Sequence, residues 1–107
     1  MSAREMPEAD RELLELAAKA AGLPSACIES SSVLYRWWNP IVNSGDALEL
    51  AVKLNLQIHP SDDETWVSNP AAPLAEDVVC ETYKGDPMIA ARRAIVRAAA
   101  RIGKEMK

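Results

Sequence analysis

The sequence predicts one α+β domain, in which three helices pack on a small antiparallel sheet to form an α/β sandwich. Apolar residues recur at helical spacing in the segments 8–21, 45–54 and 87–102. At Leu54 the spacing changes to an alternation of apolar and polar residues, which is typical of a half-buried strand. Short strand-forming segments then follow one another through short loops, and this succession favours an antiparallel meander.

The first helix is predicted over residues 8–21. Pro7 suits a first helical position, and the acidic residues after it favour the positive end of a helix. Gly22 and then Pro24 end the helix in the expected order. Its apolar face is formed by Leu13, Leu16, Ala17 and Ala20, widened by Leu14 and Ala21.

Residues 23–43 leave alternatives open. Short strands could form at 26–28 and at 33–35, and the tryptophans and proline that follow lead away from either. Asn43 or Ser44 can cap the second helix, with an acidic residue in its first turn. This short helix is expected to bury most of its circumference through the apolar stripe Leu48, Ala51, Val52 and Leu54.

Strands are predicted at 55–59, 65–67 and 78–83, with an acidic, solvated turn at 60–64. Asp86 and Pro87 then open the last helix as its cap and its first residue. Gly103 is expected to end this helix. The predicted buried face of the helix consists of Met88, Ala91, Ile95, Ala98 and Ile102.

The length of 107 residues fits a single domain spanning 1–107, with a frayed segment at 1–6. No apolar run approaches the ~18 residues of a membrane span, and the polar N-terminal segment predicts no signal peptide. Cys27 and Cys80 are expected to be free thiols in a reducing compartment. We therefore expect a cytoplasmic protein.

Charge is distributed unevenly along the chain. Residues 1–85 carry 6 Lys and Arg against 14 Asp and Glu, whereas residues 86–107 carry 6 against 2. The net charges are therefore −8 and +4, which together give the −4 of the whole chain. This asymmetry indicates either a basic binding face or a basic helix that lies against acidic neighbours in the same fold or its dimer.

A sequence box joins Trp38-Asn39-Pro40, Gly45-Asp46-Ala47-Leu48 and Leu50-Ala51-Val52-Lys53-Leu54. With the closing helix that begins at Asp86-Pro87, this box is similar to small bacteriophage and prophage proteins of the phage ABA-sandwich type, which are mostly uncharacterised. The resemblance covers roughly residues 8–104, with its specific parts at 37–54 and 86–103. It implies an α/β sandwich and a phage-encoded accessory role in a bacterial host, and it carries over no catalytic residue.

Candidate binding residues lie in and beside the box. Trp37 and Trp38 are adjacent, so in an extended segment one can enter the core while the other serves as a stacking platform or partner anchor. The alternative is that both fill the gap between helix and sheet. Asn39 and Asp46 bracket a turn and could contact a ligand, although their role as turn and cap residues is the stronger interpretation.

Arg93, Arg97 and Arg101 recur every four residues and form one stripe on the last helix. Such a stripe could bind a nucleotide phosphate, nucleic acid or an acidic protein surface, or it could simply be solvated. The acidic remainder of the chain disfavours generic nucleic-acid binding. His59 is the sole histidine and lies beside an acidic turn, but neither a metal site nor a catalytic Cys–His pair has the required local signature.

These features leave three hypotheses for function. The first is a non-enzymatic phage accessory protein that binds and inhibits or sequesters a host (defence) factor, with no cofactor and no metal. The second is a small-molecule or nucleotide-binding protein that uses the tryptophan platform and the arginine stripe, and the third is a hydrolase that uses His59 and a carboxylate. We also expect a homodimer with Trp37 or Trp66 and the Arg93–Arg101 stripe near its interface, the stripe facing the acidic first helix of the twin.

Overall fold

The computed structural model describes residues 8–23, 38–61, 63–69, 78–82 and 86–106. In these residues it contains three α-helices and a three-stranded antiparallel sheet, which confirms the α+β fold. The helices are α1 (Glu8–Ala21), α2 (Ser44–Lys53) and α3 (Pro87–Glu105), and the strands are β1 (Gln57–Pro60), β2 (Glu64–Ser68) and β3 (Val78–Thr82). No helix among them is long and apolar enough to cross a membrane. The predictions for 1–6, 26–28 and 33–35 lie outside the described residues.

Local capping sets the end of α1 and the start of α3, as predicted. Gly22 takes a φ of +76°, and the N–H of Leu23 then donates to the carbonyl oxygen of Ala18 at 2.8 Å. A left-handed residue at this point lets the chain fold back on the last turn, and glycine adopts that conformation without strain. At the start of α3, Asp86 accepts a hydrogen bond from the N–H of Met88 at 2.8 Å, as expected of a helix cap.

The end of α2 corrects the predicted strand at 55–59. Asn55 takes a φ of 56°, and the N–H of Leu56 donates to the carbonyl oxygen of Ala51 at 2.9 Å. Asn55 therefore terminates the helix, since asparagine tolerates the left-handed region better than most residues. As a result β1 begins two residues later than predicted, at Gln57.

The sheet is an antiparallel meander with the strand order β1-β2-β3, as predicted. Thr65 and Val67 on β2 are both fully buried, so this face of the sheet points to the core. All four residues of β1 are exposed, so the predicted half-buried strand is wrong at this position. The reason is that α3 packs mainly on β2 and β3 and leaves β1 at the uncovered edge.

The layers are arranged around α3. Among the described residues α3 is the helix that packs extensively on the sheet, while α1 and α2 complete the core by packing on α3. Asp10 contacts Arg93 near the start of the two helices, and Lys19 contacts Met106 near their ends, so α1 and α3 run parallel. The core therefore lies on both sides of α3, with side chains from α1, α2 and the inner face of the sheet.

The buried face of α3 is broader than the sequence predicts. Ile95 and Ala98 are buried as expected, and Ala91 and Ile102 are half-buried. Met88 is 52% exposed, so its predicted burial is wrong. It lies two turns before Ile95 on the same side of the helix, but the neighbouring elements do not cover the first turn of α3. Packing on several sides instead buries Ala90, Ala94, Val96, Ala99, Ala100 and Gly103.

Gly103 has a different role from the predicted helix terminator. Helix α3 continues past it to Glu105, and Gly103 is buried inside the last turns. A Cβ atom added there would lie 1.9 Å from the carbonyl oxygen of Leu16 on α1. The missing side chain therefore lets the backbones of α1 and α3 touch.

Candidate functional site

In the turn before α2, the polar atoms of the box form hydrogen bonds with one another and with nearby backbone groups. The backbone N–H of Asn39 donates to Asp46 Oδ2 at 2.8 Å, and Asn39 Oδ1 accepts from the N–H of Ile41 at 3.0 Å. The N–H of Asp46 donates to Asn43 Oδ1 at 2.9 Å, which makes Asn43 the cap of α2. Asn39 and Asp46 thus hold the turn and the first turn of the helix together, the role that turn and cap residues are expected to play.

The tryptophan pair is described only in part. Trp38 is half-buried and packs against the core, next to the buried Pro40 and Ile41. Trp37 lies outside the described residues, as does Cys27. Trp38 therefore has a packing role.

The arginines of α3 tie this helix to its neighbours. Arg93 forms a 2.8 Å ion pair with Asp10 on α1, and this hydrogen bond raises the pKa of the guanidinium, which stays charged. Arg97 pairs with Glu81 on β3 and donates to the carbonyl oxygen of Cys80 at 3.2 Å. Two members of the predicted stripe are thus paired within the chain.

Arg92 lies beside the stripe, but its side chain points to the turn before α2. Its Nε donates to the carbonyl oxygen of Ile41 at 2.9 Å, and its Nη1 donates to Ser44 Oγ at 2.9 Å. The side chain therefore links the turn before α2 to α3. These contacts span about half of the chain, and sequence spacing carries no signal for them.

A groove lies between α1 and α3 on the side of the arginine stripe. Its volume is about 390 Å³. Arg97 and Arg101 belong to its wall, which accounts for two of the predicted site residues. The α1–α3 groove is lined by Ala9, Glu12, Leu13 and Leu16 from α1 and by Arg97, Ala100, Arg101 and Lys104 from α3.

The outer face of the sheet carries a row of cross-strand neighbours, His59, Trp66 and Cys80. Trp66 is 42% exposed, and its Nε1–H donates to Glu64 Oε1 at 2.8 Å. The other carboxylate oxygen of Glu64 accepts from Cys80 Sγ at 3.2 Å. Glu64 is therefore the half-buried first residue of β2, which corrects its predicted place in a solvated turn.

The reactive side chains on this face are poorly arranged for catalysis. Partial burial and then the Glu64 carboxylate raise the pKa of the Cys80 thiol above its ordinary value, so the thiol stays protonated near neutral pH. His59 and Cys80 lie on opposite edges of the sheet with β2 between them, about 10 Å apart at ~5 Å per strand. In the part of the chain that the structure describes, no group of three or more potential ligands could hold a metal ion.

The largest departure from the predicted pattern is on α2. Leu48 is 61% exposed and Val52 is 71% exposed, so their predicted burial is wrong. The buried side of α2 is formed instead by Ala47, Leu50 and Ala51. Because apolar residues occupy more than half of the helix circumference, the sequence did not indicate which of them meet α3.

Other apolar residues are exposed in the turn before α2 and in the first turn of α3. Val42, in the turn before α2, is 66% exposed, and Met88 and Ile89 are 52% and 48% exposed. Met88 and Ile89 lie one helical turn before Arg92, the residue that contacts the turn before α2. We call the exposed apolar side of α2, formed by Leu48 and Val52 with Val42 in the preceding turn, the α2 surface.

Comparisons with protein-family models, with curated proteins and with solved structures find no match to this chain. The resemblance to phage ABA-sandwich proteins therefore stays a prediction from the box residues.

Proposed function

We propose that this is a small phage-encoded accessory protein without catalytic activity. In this proposal it acts in the cytoplasm of an infected or lysogenic bacterial host, where it binds and inhibits or sequesters a host protein. The observation that supports binding is the α2 surface, because Leu48 and Val52 are 61% and 71% exposed on a helix whose other side is core. Exposed apolar residues that cluster in this way mark interaction sites in proteins. The phage origin rests on the box resemblance alone.

The charges beside the α2 surface favour a particular kind of partner. Glu49 and Lys53 are exposed and lie next to Leu48 and Val52 on α2. An amphipathic helix of the partner, antiparallel to α2, would place apolar side chains on Leu48 and Val52. It would carry a basic residue opposite Glu49 and an acidic residue opposite Lys53. We therefore propose a helical segment of a host protein as the occupant.

The proposal of a non-enzymatic role is supported by the outer face of the sheet. Catalysis by a cysteine nucleophile requires a thiolate and a base within hydrogen-bond reach. Here the Cys80 thiol is held protonated, and His59 lies across β2 from it. This arrangement gives no support to a Cys80–His59 pair, and the hypothesis of a hydrolase that uses His59 and a carboxylate stays a prediction.

The homodimer predicted from the sequence is retained as a proposal with a narrower interface. Arg93 and Arg97 already pair with Asp10 and Glu81 of the same chain, so the stripe has less charge to offer a twin. The exposed edge strand β1 and the neighbouring Trp66 remain suited to pairing with a second copy. This interface leaves the α2 surface open to another protein.

The test uses a double variant, Leu48→Asp with Val52→Asp, against the matched control Ile58→Asp on β1. Host lysate is used to capture a partner, which is then purified and titrated against each protein by calorimetry. We expect the double variant to lose at least about tenfold in affinity and the control to lose little. Circular dichroism melts of all three proteins establish that each is folded.

Two outcomes would contradict the proposal. One is a partner that binds the double variant as tightly as the unaltered protein. The other is self-association through the α2 surface: a dimer in sedimentation equilibrium that dissociates in the double variant and persists in the Ile58→Asp control. In that case a second copy, rather than a host protein, covers α2.

A further inference from the structure

The α1–α3 groove differs in charge from the rest of the molecule. Three cationic residues line it, Arg97, Arg101 and Lys104. Glu12 is also part of the lining, and Glu81 pairs with Arg97, whereas the whole chain has a net charge of −4. The three cations lie at positions i, i+4 and i+7 of α3 and therefore share one side of the helix. These three cations and two carboxylates together have an excess of one positive charge, which on an acidic protein attracts anions to this groove.

The groove also has an apolar floor and a defined end. Leu13, Leu16 and Ala100 contribute apolar lining between the two helices. One turn before Arg97, Arg93 reaches across to Asp10 in a 2.8 Å ion pair. This ion pair links α1 and α3 and bounds the groove on the side of the helix starts.

Arg97 is held in position by the protein itself. It pairs with Glu81 and donates to the carbonyl oxygen of Cys80 at 3.2 Å, while 45% of its side chain stays accessible. A guanidinium has five N–H donors, and both of these contacts use Nη1, so they do not occupy the donors of Nε and Nη2. Holding the side chain in place lowers the entropy lost when a ligand binds.

We propose that the α1–α3 groove binds a small carboxylate that carries a compact apolar body. The carboxylate would contact the cationic side of α3, and the apolar body would lie on Leu13 and Leu16. The volume of about 390 Å³ falls in the range of small-molecule sites. Glu12 on the opposite wall repels a second negative charge, so a singly charged carboxylate is favoured over a phosphate monoester of the same tail.

This inference is independent of the proposed protein partner. The groove is formed by α1 and the C-terminal half of α3, whereas the α2 surface lies on α2 and the turn before it. Loss of either site therefore leaves the other available for testing.

Octanoate is the probe, with octyl phosphate and octanol as matched ligands that change only the head group. Each is titrated into the ¹⁵N-labelled protein, and binding is followed by amide chemical shifts. We expect octanoate to shift amides along the groove, and octanol to bind at least about tenfold more weakly because it lacks the charge. Octyl phosphate is expected to bind more weakly than octanoate, and Glu12→Gln should narrow that difference.

The variant test compares the same substitution at two exposed lysines. Lys104→Glu reverses a charge in the groove, and Lys53→Glu does so on α2, outside it. We expect about a tenfold loss of octanoate affinity for Lys104→Glu and less than about a twofold change for Lys53→Glu. Equal losses, octanol binding as tight as octanoate, or no saturable shifts up to about 10 mM octanoate would each overturn the proposal. Unchanged melting curves for both variants exclude a folding defect.

Discussion

The contact at Gly103 gives a sharp test of how α1 and α3 pack. A Cβ atom at this position would lie 1.9 Å from the carbonyl oxygen of Leu16 and 2.7 Å from its carbonyl carbon. Real Cβ contacts stay beyond 3.0 Å, so in the substitution Gly103→Ala the new Cβ atom and the carbonyl oxygen of Leu16 would have to move apart by at least 1.1 Å. The obstacle is backbone, which has no rotamer to change.

The expected cost follows from two opposing effects. Overpacking a close-packed interior destabilises a protein by about 1–3 kcal/mol and occasionally by more, and a backbone clash belongs at the upper end. Replacing glycine by alanine inside a helix stabilises the folded protein by about 1 kcal/mol, because alanine has the higher helix propensity. We therefore expect Gly103→Ala to lower the free energy of unfolding by roughly 2 kcal/mol.

Urea unfolding followed by circular dichroism measures this difference from the midpoint and slope. Gly45→Ala in the first turn of α2 is the matched control, because its Cβ would meet only the side-chain oxygen of Asn43, at 3.2 Å. That side chain can shift slightly, so the control should change stability by less than about 1 kcal/mol. A Gly103→Ala protein as stable as the original would show that α1 and α3 do not touch at Leu16.

Other predictions concern the core, the thiol and the assembly. Ile95→Ala, at a residue only 4% exposed, should cost about 2–5 kcal/mol in urea unfolding. Arg97→Ala removes a partly exposed ion pair and should cost less than about 1 kcal/mol, so equal losses would mean that the faces of α3 are assigned wrongly. Glu64→Gln removes the charge that helps to raise the pKa of Cys80, so alkylation of Cys80 at pH 8, followed by peptide mass spectrometry, should be faster in the variant. If the rate is unchanged, the carboxylate does not control the thiol. Sedimentation equilibrium should show a homodimer that Trp66→Ala weakens, and a monomer at both low and high salt would refute this interface.

The elements and their order could be predicted because their signals are local in the chain. Asp86 caps α3 through a hydrogen bond two residues away, and Gly22 ends α1 through its own backbone conformation. Each of these contacts lies within one turn of the residue that makes it. Asn55 belongs to the same class, since an asparagine after the last helical residue signals a left-handed cap. The sequence therefore contained the signal for the late start of β1.

The candidate site depended on packing between distant segments. Leu48 and Leu50 are the same residue type on one helix, yet one is 61% exposed and the other 2%. Which of them is buried depends on where α3 lies, and no pattern within α2 records that position. The sequence likewise placed Arg93 and Arg97 on one stripe, but only the fold brings Asp10 and Glu81 to them.

Gly103 illustrates in one residue the difference between a local signal and a tertiary contact. A glycine near the end of a helical pattern is usually a terminator, and that local expectation was wrong here. Leu16 lies 87 residues earlier in the chain, and its backbone occupies the space that a side chain at Gly103 would need. Local propensity thus determined the helices and strands of this protein. The tertiary structure decided which of their faces are buried and which arginines are paired, because burial and charge pairing depend on neighbours that are remote in sequence.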